Sequence, residues 1–239
     1  MIQFVPATGS TNADLAARLG AGEMVAEGHW LVADRQTAGR GRQGREWFDG
    51  AGNFMGSTVV RLGPQDAPAG SLALLTGLAL HEVISTRLVP PQQAQLKWPN
   101  DLLVGGAKLA GILLERVSDC VIVGIGVNLA AAPDLPDRST VALSAFGPAP
   151  DRDVFAAELA RQFAIELERW RNFGLEAVIR RWLLAAHPTG TPLHVGESGE
   201  EPLSGTFAGL TADGALQLRL ADGTCRVIHA GEVRLADPD

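Results

Sequence analysis

A chain of 239 residues, 46% hydrophobic and 20% charged, can bury one large domain, or one domain with a small appendix, and is not a disordered polymer. Its formal net charge of -7 argues against a general nucleic-acid binder, which carries a basic face. Two distant cysteines, Cys120 and Cys225, rule out a disulfide framework or a cysteine-rich zinc site, and neither a basic-then-apolar leader nor a bilayer-length apolar run occurs. A reducing, cytoplasmic setting with no membrane partner is therefore expected.

Thr11-Asn-Ala-Asp14 predicts a helix start, with Ala13, Leu15, Ala16 and Leu19 following at helical spacing as far as Gly20. Residues 29–35 predict a strand with the apolar centre Trp30-Leu-Val-Ala33, residues 36–52 a long loop rich in glycine and arginine, and residues 53–62 a second strand. The mostly apolar stretch 71–88 predicts a helix buried on more than one side. Short strands are expected at 94–98, 101–104, 107–116 and 119–128, then a proline-bearing connection over 130–150. Asp151 caps a long helix that reaches about Ala186 with a break near Gly174. Beyond His187-Pro188 the pattern turns strand-like, and Asp213-Gly214 and Asp222-Gly223 are hairpin signals on either side of residues 215–220. The expected architecture is an α/β (α+β) catalytic domain over 1–188, a mixed sheet with helices, and a small β-barrel domain over 189–239 that needs docking to complete its core.

Gly39-Arg-Gly-Arg-Gln-Gly44 matches the dinucleotide pattern GxGxxG and follows a strand, but Arg45-Glu-Trp-Phe-Asp-Gly is poor helix material. Without a helix opening at the loop there is nothing to hold a pyrophosphate, so an oxidoreductase on a dinucleotide fold is disfavoured. Arg40, Arg42 and Arg45 among glycines suit another task, in which the backbone closes over a ligand and guanidinium forks bind carboxylate or phosphate. The plain alternative is a solvated loop.

Lys97 and Lys108 are the chain's two lysines; every other cation is arginine. Composition bias explains the scarcity, and the two survivors mark places where a compact ammonium cannot be exchanged for a planar fork. Gly105-Gly106 predicts a two-residue hairpin that sets Val104 opposite Ala107, Leu103 opposite Lys108 and Asp101 opposite Ala110. Asp101 and Lys108 then share a face as diagonal neighbours, roughly 7–8 Å apart at the backbone. An ordinary cross-strand ion pair would look the same. Functionally, such a lysine can hold a carboxylate and an α-phosphate together, which acyl-adenylate formation requires. Ser10-Thr-Asn12 is a helix cap or a polar cluster for a small polar ring, and Asn128 after Gly124-Ile-Gly-Val127 is an adenine contact or a turn. The five histidines show no metal spacing, and no GxSxG, HExxH or Walker A pattern occurs.

Together, Ser10-Thr-Asn12, Gln36-Thr-Ala-Gly-Arg-Gly-Arg-Gln-Gly-Arg45, Lys97-Trp-Pro-Asn-Asp101, Lys108-Leu-Ala-Gly111 and Gly124-Ile-Gly-Val-Asn128 resemble biotin–protein ligases in order and spacing. The resemblance implies an SH3-like C-terminal barrel and a two-step reaction in which biotin and MgATP, the ion carried on the phosphates, give biotinyl-AMP. A lysine of a biotin carboxyl carrier protein or domain then takes the biotin. It implies that Ser10, Thr11, Asn12, Gln36, Gly39, Arg40, Gly41 and Gly111 serve biotin, and that Arg45, Trp47 and Asn128 serve the nucleotide. Arg42 and Lys108 would serve both, as catalytic groups with Asp101, which orients Lys108 or helps deprotonate the incoming lysine. Gln43 departs from the family pattern, where many members carry a basic residue. The loop is expected to close over biotin and adenylate and exclude water. A lipoate–protein ligase is the nearest rival. A biotin-sensing repressor is disfavoured by the acidic charge and by a first motif at Ser10 that leaves no room for a DNA-binding domain before it; monomer and homodimer both stay open.

Overall fold

The computed structural model describes residues 1–196 and 202–236. Seven strands, β1 (Ile2–Val5), β2 (Trp30–Ala33), β3 (Phe54–Arg61), β4 (Ala94–Lys97), β5 (Asp101–Val104), β6 (Ala107–Val117) and β7 (Cys120–Val127), form one sheet in the order β1-β2-β3-β7-β6-β5-β4. Only the β1–β2 pair is parallel. β1 was not expected: at four residues it is too short to carry a clear period, and it is ordered by pairing along β2.

The two faces of the sheet are covered differently. Val121, Val123, Ile125 and Val127 of β7 pack into the main core with helices α2 (Leu72–Ser85) and α3 (Arg152–Ala185). On the other face Cys120 and Ile122 pack against Leu15 of helix α1 (Thr11–Gly20). The N-cap of α1 is Ser10, one residue before the expected start, and its side chain accepts from the Ala13 amide. α2 is apolar all round because it lies between the sheet and α3. Asp151 caps α3 by accepting from the amides of Asp153 and Val154, and Gly174 at φ 75 breaks it as expected. Across that break the fully buried Glu166 collects Arg169 and Arg181, one guanidinium from each half of the helix.

The β5–β6 hairpin corrects one expectation. Val104 opposes Ala107 and Leu103 opposes Lys108, but Asp101 opposes Gly111, not Ala110. Leu109 is the extra residue of a bulge, drawn wholly into the core. The slip has a consequence. It puts Lys108 and Gly111, three apart and otherwise on opposite faces, on one face with Asp101.

Strands β8 (Pro192–Gly196), β9 (Leu203–Leu210), β10 (Leu216–Arg219), β11 (Cys225–Ile228) and β12 (Glu232–Leu235) form an antiparallel sheet in the order β11-β10-β9-β8-β12. Both aspartate–glycine signals fall in the turns flanking β10. The sheet does not stand alone: Leu193, Val195, Phe207, Leu216, Leu218 and Val233 belong to the same core cluster as the large sheet. Trp98 Nε1 donates to Gly214 O at 3.0 Å across the junction.

Candidate active site

On the α1 face of the large sheet, β7 changes from side chains to glycine. Gly124 and Gly126 follow Ile122 on that face, and Gly111 of β6 is the cross-strand partner of Gly126. The row continues to Asp101 of β5. Strands buried on both faces are normally continuous apolar runs, so a row without side chains marks space given to something else. Above it lies a cavity of about 720 Å³, walled by the start of α1, the glycine–arginine loop, the 130–140 connection and β12.

Two side chains enter the glycine row. A Cβ on Gly124 would come within 2.3 Å of Asn12 Oδ1, and one on Gly126 within 2.1 Å of the Trp47 indole. Asn12 belongs to a buried polar chain: Thr11 N donates to Gln36 Oε1 at 2.7 Å, Thr11 Oγ1 meets Ser57 Oγ at 2.6 Å, Ser57 Oγ donates to Asn12 Oδ1 at 2.6 Å, and Asn12 Nδ2 donates to Glu115 Oε2 at 2.6 Å. Ser10 is buried beside them. Polar groups this deep are already oriented, which suits a small ring with its own donors and acceptors.

The loop arches without a following helix. Trp47 N donates to Gly39 O at 2.9 Å and Gly41 N to Arg45 O at 2.7 Å, with one 3-10 turn at Arg42–Gly44 between. That geometry removes the dinucleotide reading. Gly39 lies against Gln36 Nε2 and Trp47 O, and Arg40 is exposed at the cavity. Arg42 donates to Asn100 Oδ1 at 3.2 Å and to Gly231 O at 3.3 Å, and Arg45 pairs with Glu232. Burial lowers the Arg42 pKa, with Asp101 acting against the shift.

Both lysines end on Asp101. Lys108 Nζ lies 2.6 Å from Oδ1 and Lys97 Nζ 2.9 Å from Oδ2, and Lys97 also donates to Val233 O at 2.7 Å. Burial alone would raise the Asp101 carboxyl; the two ammonium groups overcome it and hold Asp101 well below the usual carboxylate range. Lys108 Nζ sits 5.7 Å from the Trp47 ring centroid. Asn128, at the end of β7, donates to Val141 O at 3.2 Å, and its buried Oδ1 has no partner among the described residues.

Every residue given a site role in the sequence lines this cavity. Sequence reasoning missed Ser57, Asn100, Glu232 and Arg138, and left Lys97 without a role. The rarity of lysine flagged Lys97, and its own motif contains Asn100. Nothing local marks Ser57 or Glu232, which sit on plain strands and arrive by tertiary folding.

The family model described as Biotin/lipoate A/B protein ligase family matches residues 14–128, and that described as Biotin protein ligase C terminal domain matches residues 194–235. A biotin–[acetyl-CoA-carboxylase] ligase of Paracoccus denitrificans is 38% identical over 95% of this chain and 97% of its own. One of Mycobacterium tuberculosis is 36% identical over 97% of this chain and 88% of its own. Among solved structures, a biotin protein ligase from Aquifex aeolicus in complex with biotin and ATP has a TM-score of 0.85 at 24% identity, covering 98% of this chain and 99% of that one, a likeness of fold.

Proposed function

The chain belongs to the biotin/lipoate A/B protein ligase family, and on that premise we propose that the cavity on the glycine row makes biotinyl-AMP and passes its biotin to a protein lysine. The protein is an ATP-dependent ligase of the biotin–[acetyl-CoA-carboxylase] type. In the first step a biotin carboxylate oxygen attacks the α-phosphorus of ATP; the bond to the bridging oxygen breaks and pyrophosphate leaves. In the second, the amine of a carrier-domain lysine attacks the acyl carbon, an amide forms, and AMP leaves as the amine gives up its proton. Magnesium enters on the nucleotide's phosphates as part of that substrate.

One observation carries this assignment: Asp101 holds the Lys108 ammonium between a buried polar pocket and an arginine loop. Ser10, Thr11, Asn12, Gln36, Gly39, Arg40, Gly41 and Gly111 lie where biotin is received. Arg45, Trp47 and Asn128 take the nucleotide, and Arg42 and Lys108 reach both reacting groups. The charge of Lys108 offsets repulsion between carboxylate and α-phosphate, then the charge that builds at phosphorus. Asp101, kept ionised by two lysines, has little affinity for a proton and serves to orient Lys108, not to deprotonate the acceptor. The acceptor is a biotin carboxyl carrier domain. We place the division between catalytic and C-terminal domains at 188/189, between α3 and β8, and the reaction in the cytoplasm; no described helix is long and apolar enough to cross a membrane.

Incubating the protein with biotin, ATP and a carrier domain tests the whole reaction. Intact-mass analysis should show one biotin added to the carrier, on one lysine, only when ATP is present. A carrier left unmodified under all conditions would remove the assignment.

A further inference from the structure

Arg138 lies in the proline-bearing connection after β7, where nothing in the sequence draws attention to it. The backbone beside it is fixed to the reactive lysine: Lys108 N donates to Ser139 O at 2.9 Å, and Val141 N donates to Lys108 O at 3.0 Å. This pairing brings Arg138 to the wall of the cavity. There its guanidinium meets Glu232 from the other side of Arg45. Arg45 pairs with Oε2, and Arg138 Nη2 lies 3.4 Å from Oε1. Forks from two separate loops thus share one carboxylate, which Arg234 of β12 also approaches at 3.6 Å, and Asp137 is the shorter partner of Arg138. The glycine–arginine loop has a neutral residue between its last two arginines, Gln43, whose Oε1 accepts from Arg45 at 3.0 Å. Its outer end therefore carries one guanidinium, and Arg138 supplies the second from outside the loop.

Guanidinium forks that hold a carboxylate can hold phosphate oxygens by the same geometry. Arg42 and Lys108 lie inward near Asp101, where the proposed function puts the reacting carboxylate and α-phosphate. Arg45 and Arg138 lie one step outward, against β12. We propose that Arg138 is a further phosphate-binding residue of this site: with Arg45 it exchanges Glu232 for the β- and γ-phosphate oxygens of the bound nucleoside triphosphate and then holds the departing pyrophosphate. This rests on reading the cavity as the site of adenylate formation. Arg138 then acts only in the first half-reaction, because the adenylate has lost those phosphates.

Biotin-dependent exchange between pyrophosphate and ATP tests it, measured on the full chain and on Arg138→Ala and Arg138→Lys. The expected result for Arg138→Ala is a rise of about 5- to 10-fold in KM for both ATP and pyrophosphate, the size of one lost charged hydrogen bond at a half-exposed position. KM for biotin and the rate of transfer from preformed biotinyl-AMP should stay as in the wild type, and Arg138→Lys should recover part of the loss. Wild-type constants for ATP and pyrophosphate in Arg138→Ala, or an equal loss in the transfer step, would overturn the assignment while leaving the parent reading intact. No biotin-dependent exchange in the wild type would overturn both.

Discussion

The two lysines of this chain converge on a single carboxylate, that of Asp101, to which the proposed function gives the task of positioning them. Replacing it by asparagine keeps the shape but leaves two ammonium groups without their anion. Asp101→Asn should slow both half-reactions, by about 100-fold in kcat, as expected when a charged group loses its positioning partner. Single-turnover rates of adenylate formation and of transfer would check this; wild-type rates in both would refute the role. Gly126 makes a second demand, since any Cβ there meets the Trp47 indole. Gly126→Ala should unseat the ring, raise KM for ATP several-fold and release biotinyl-AMP into solution, with little loss in thermal stability. Retention of the intermediate at the wild-type level would show that the ring has another seat. The sequence disclosed the Asp101–Lys108 pairing through lysine scarcity and a glycine-glycine turn. It did not disclose the bulge at Leu109, because turn type sets register only at the hairpin's end and core packing decides it further along.

At the scale of elements, strong signals survived folding unchanged. Asp151 and Gly174 mark the cap and the break of α3, and the turns around β10 fall at their aspartate–glycine pairs. β1 left no signal because an edge strand of four residues, of which only Ile2 and Val5 are half-buried, is too short to show a period. The break in α3 has a further requirement invisible to local pattern: Glu166, fully buried, is paired with Arg169 before Gly174 and Arg181 after it. Glu166→Ala would remove the buried acceptor that ties the two halves of the helix together, leaving Arg169 to water and Arg181 to Glu82. The expected cost is about 2 kcal/mol, from the lost charged hydrogen bonds, read as a lower denaturation midpoint with KM values unchanged. A midpoint equal to wild type would mean that helix packing alone sets the angle at the break.

At the scale of the whole molecule, the C-terminal sheet reaches the cavity of the candidate site. Gly231, Glu232 and Val233 touch Arg42, Arg45 and Lys97, so three cations of the site are held by a segment almost at the end of the chain. Sequence reading found this sheet but gave it no role, since contacts across nearly two hundred residues leave no local trace. Its junction with the large sheet contains His187, buried, 4.7 Å from the Phe207 ring centroid, with neither ring nitrogen partnered among the described residues. Burial, helped by the charge of Lys97, lowers its pKa to about 4. The unfolded chain therefore binds this proton more readily between about pH 6.5 and 4. Stability is full above that window and falls as pH drops through it, by an order of about 3 kcal/mol at its acid end. His187→Leu should flatten the melting temperature between pH 7 and 4.5. An unchanged slope would assign the acid sensitivity to other groups.

The central claim is that the cavity on the glycine row joins biotin to AMP. Radiolabelled pyrophosphate exchange into ATP, measured without any acceptor protein, reports that step alone. The account predicts exchange that starts when biotin is added, does not start with lipoate, and is lost in Lys108→Ala. Exchange supported by lipoate in place of biotin, or undiminished without Lys108, would contradict it.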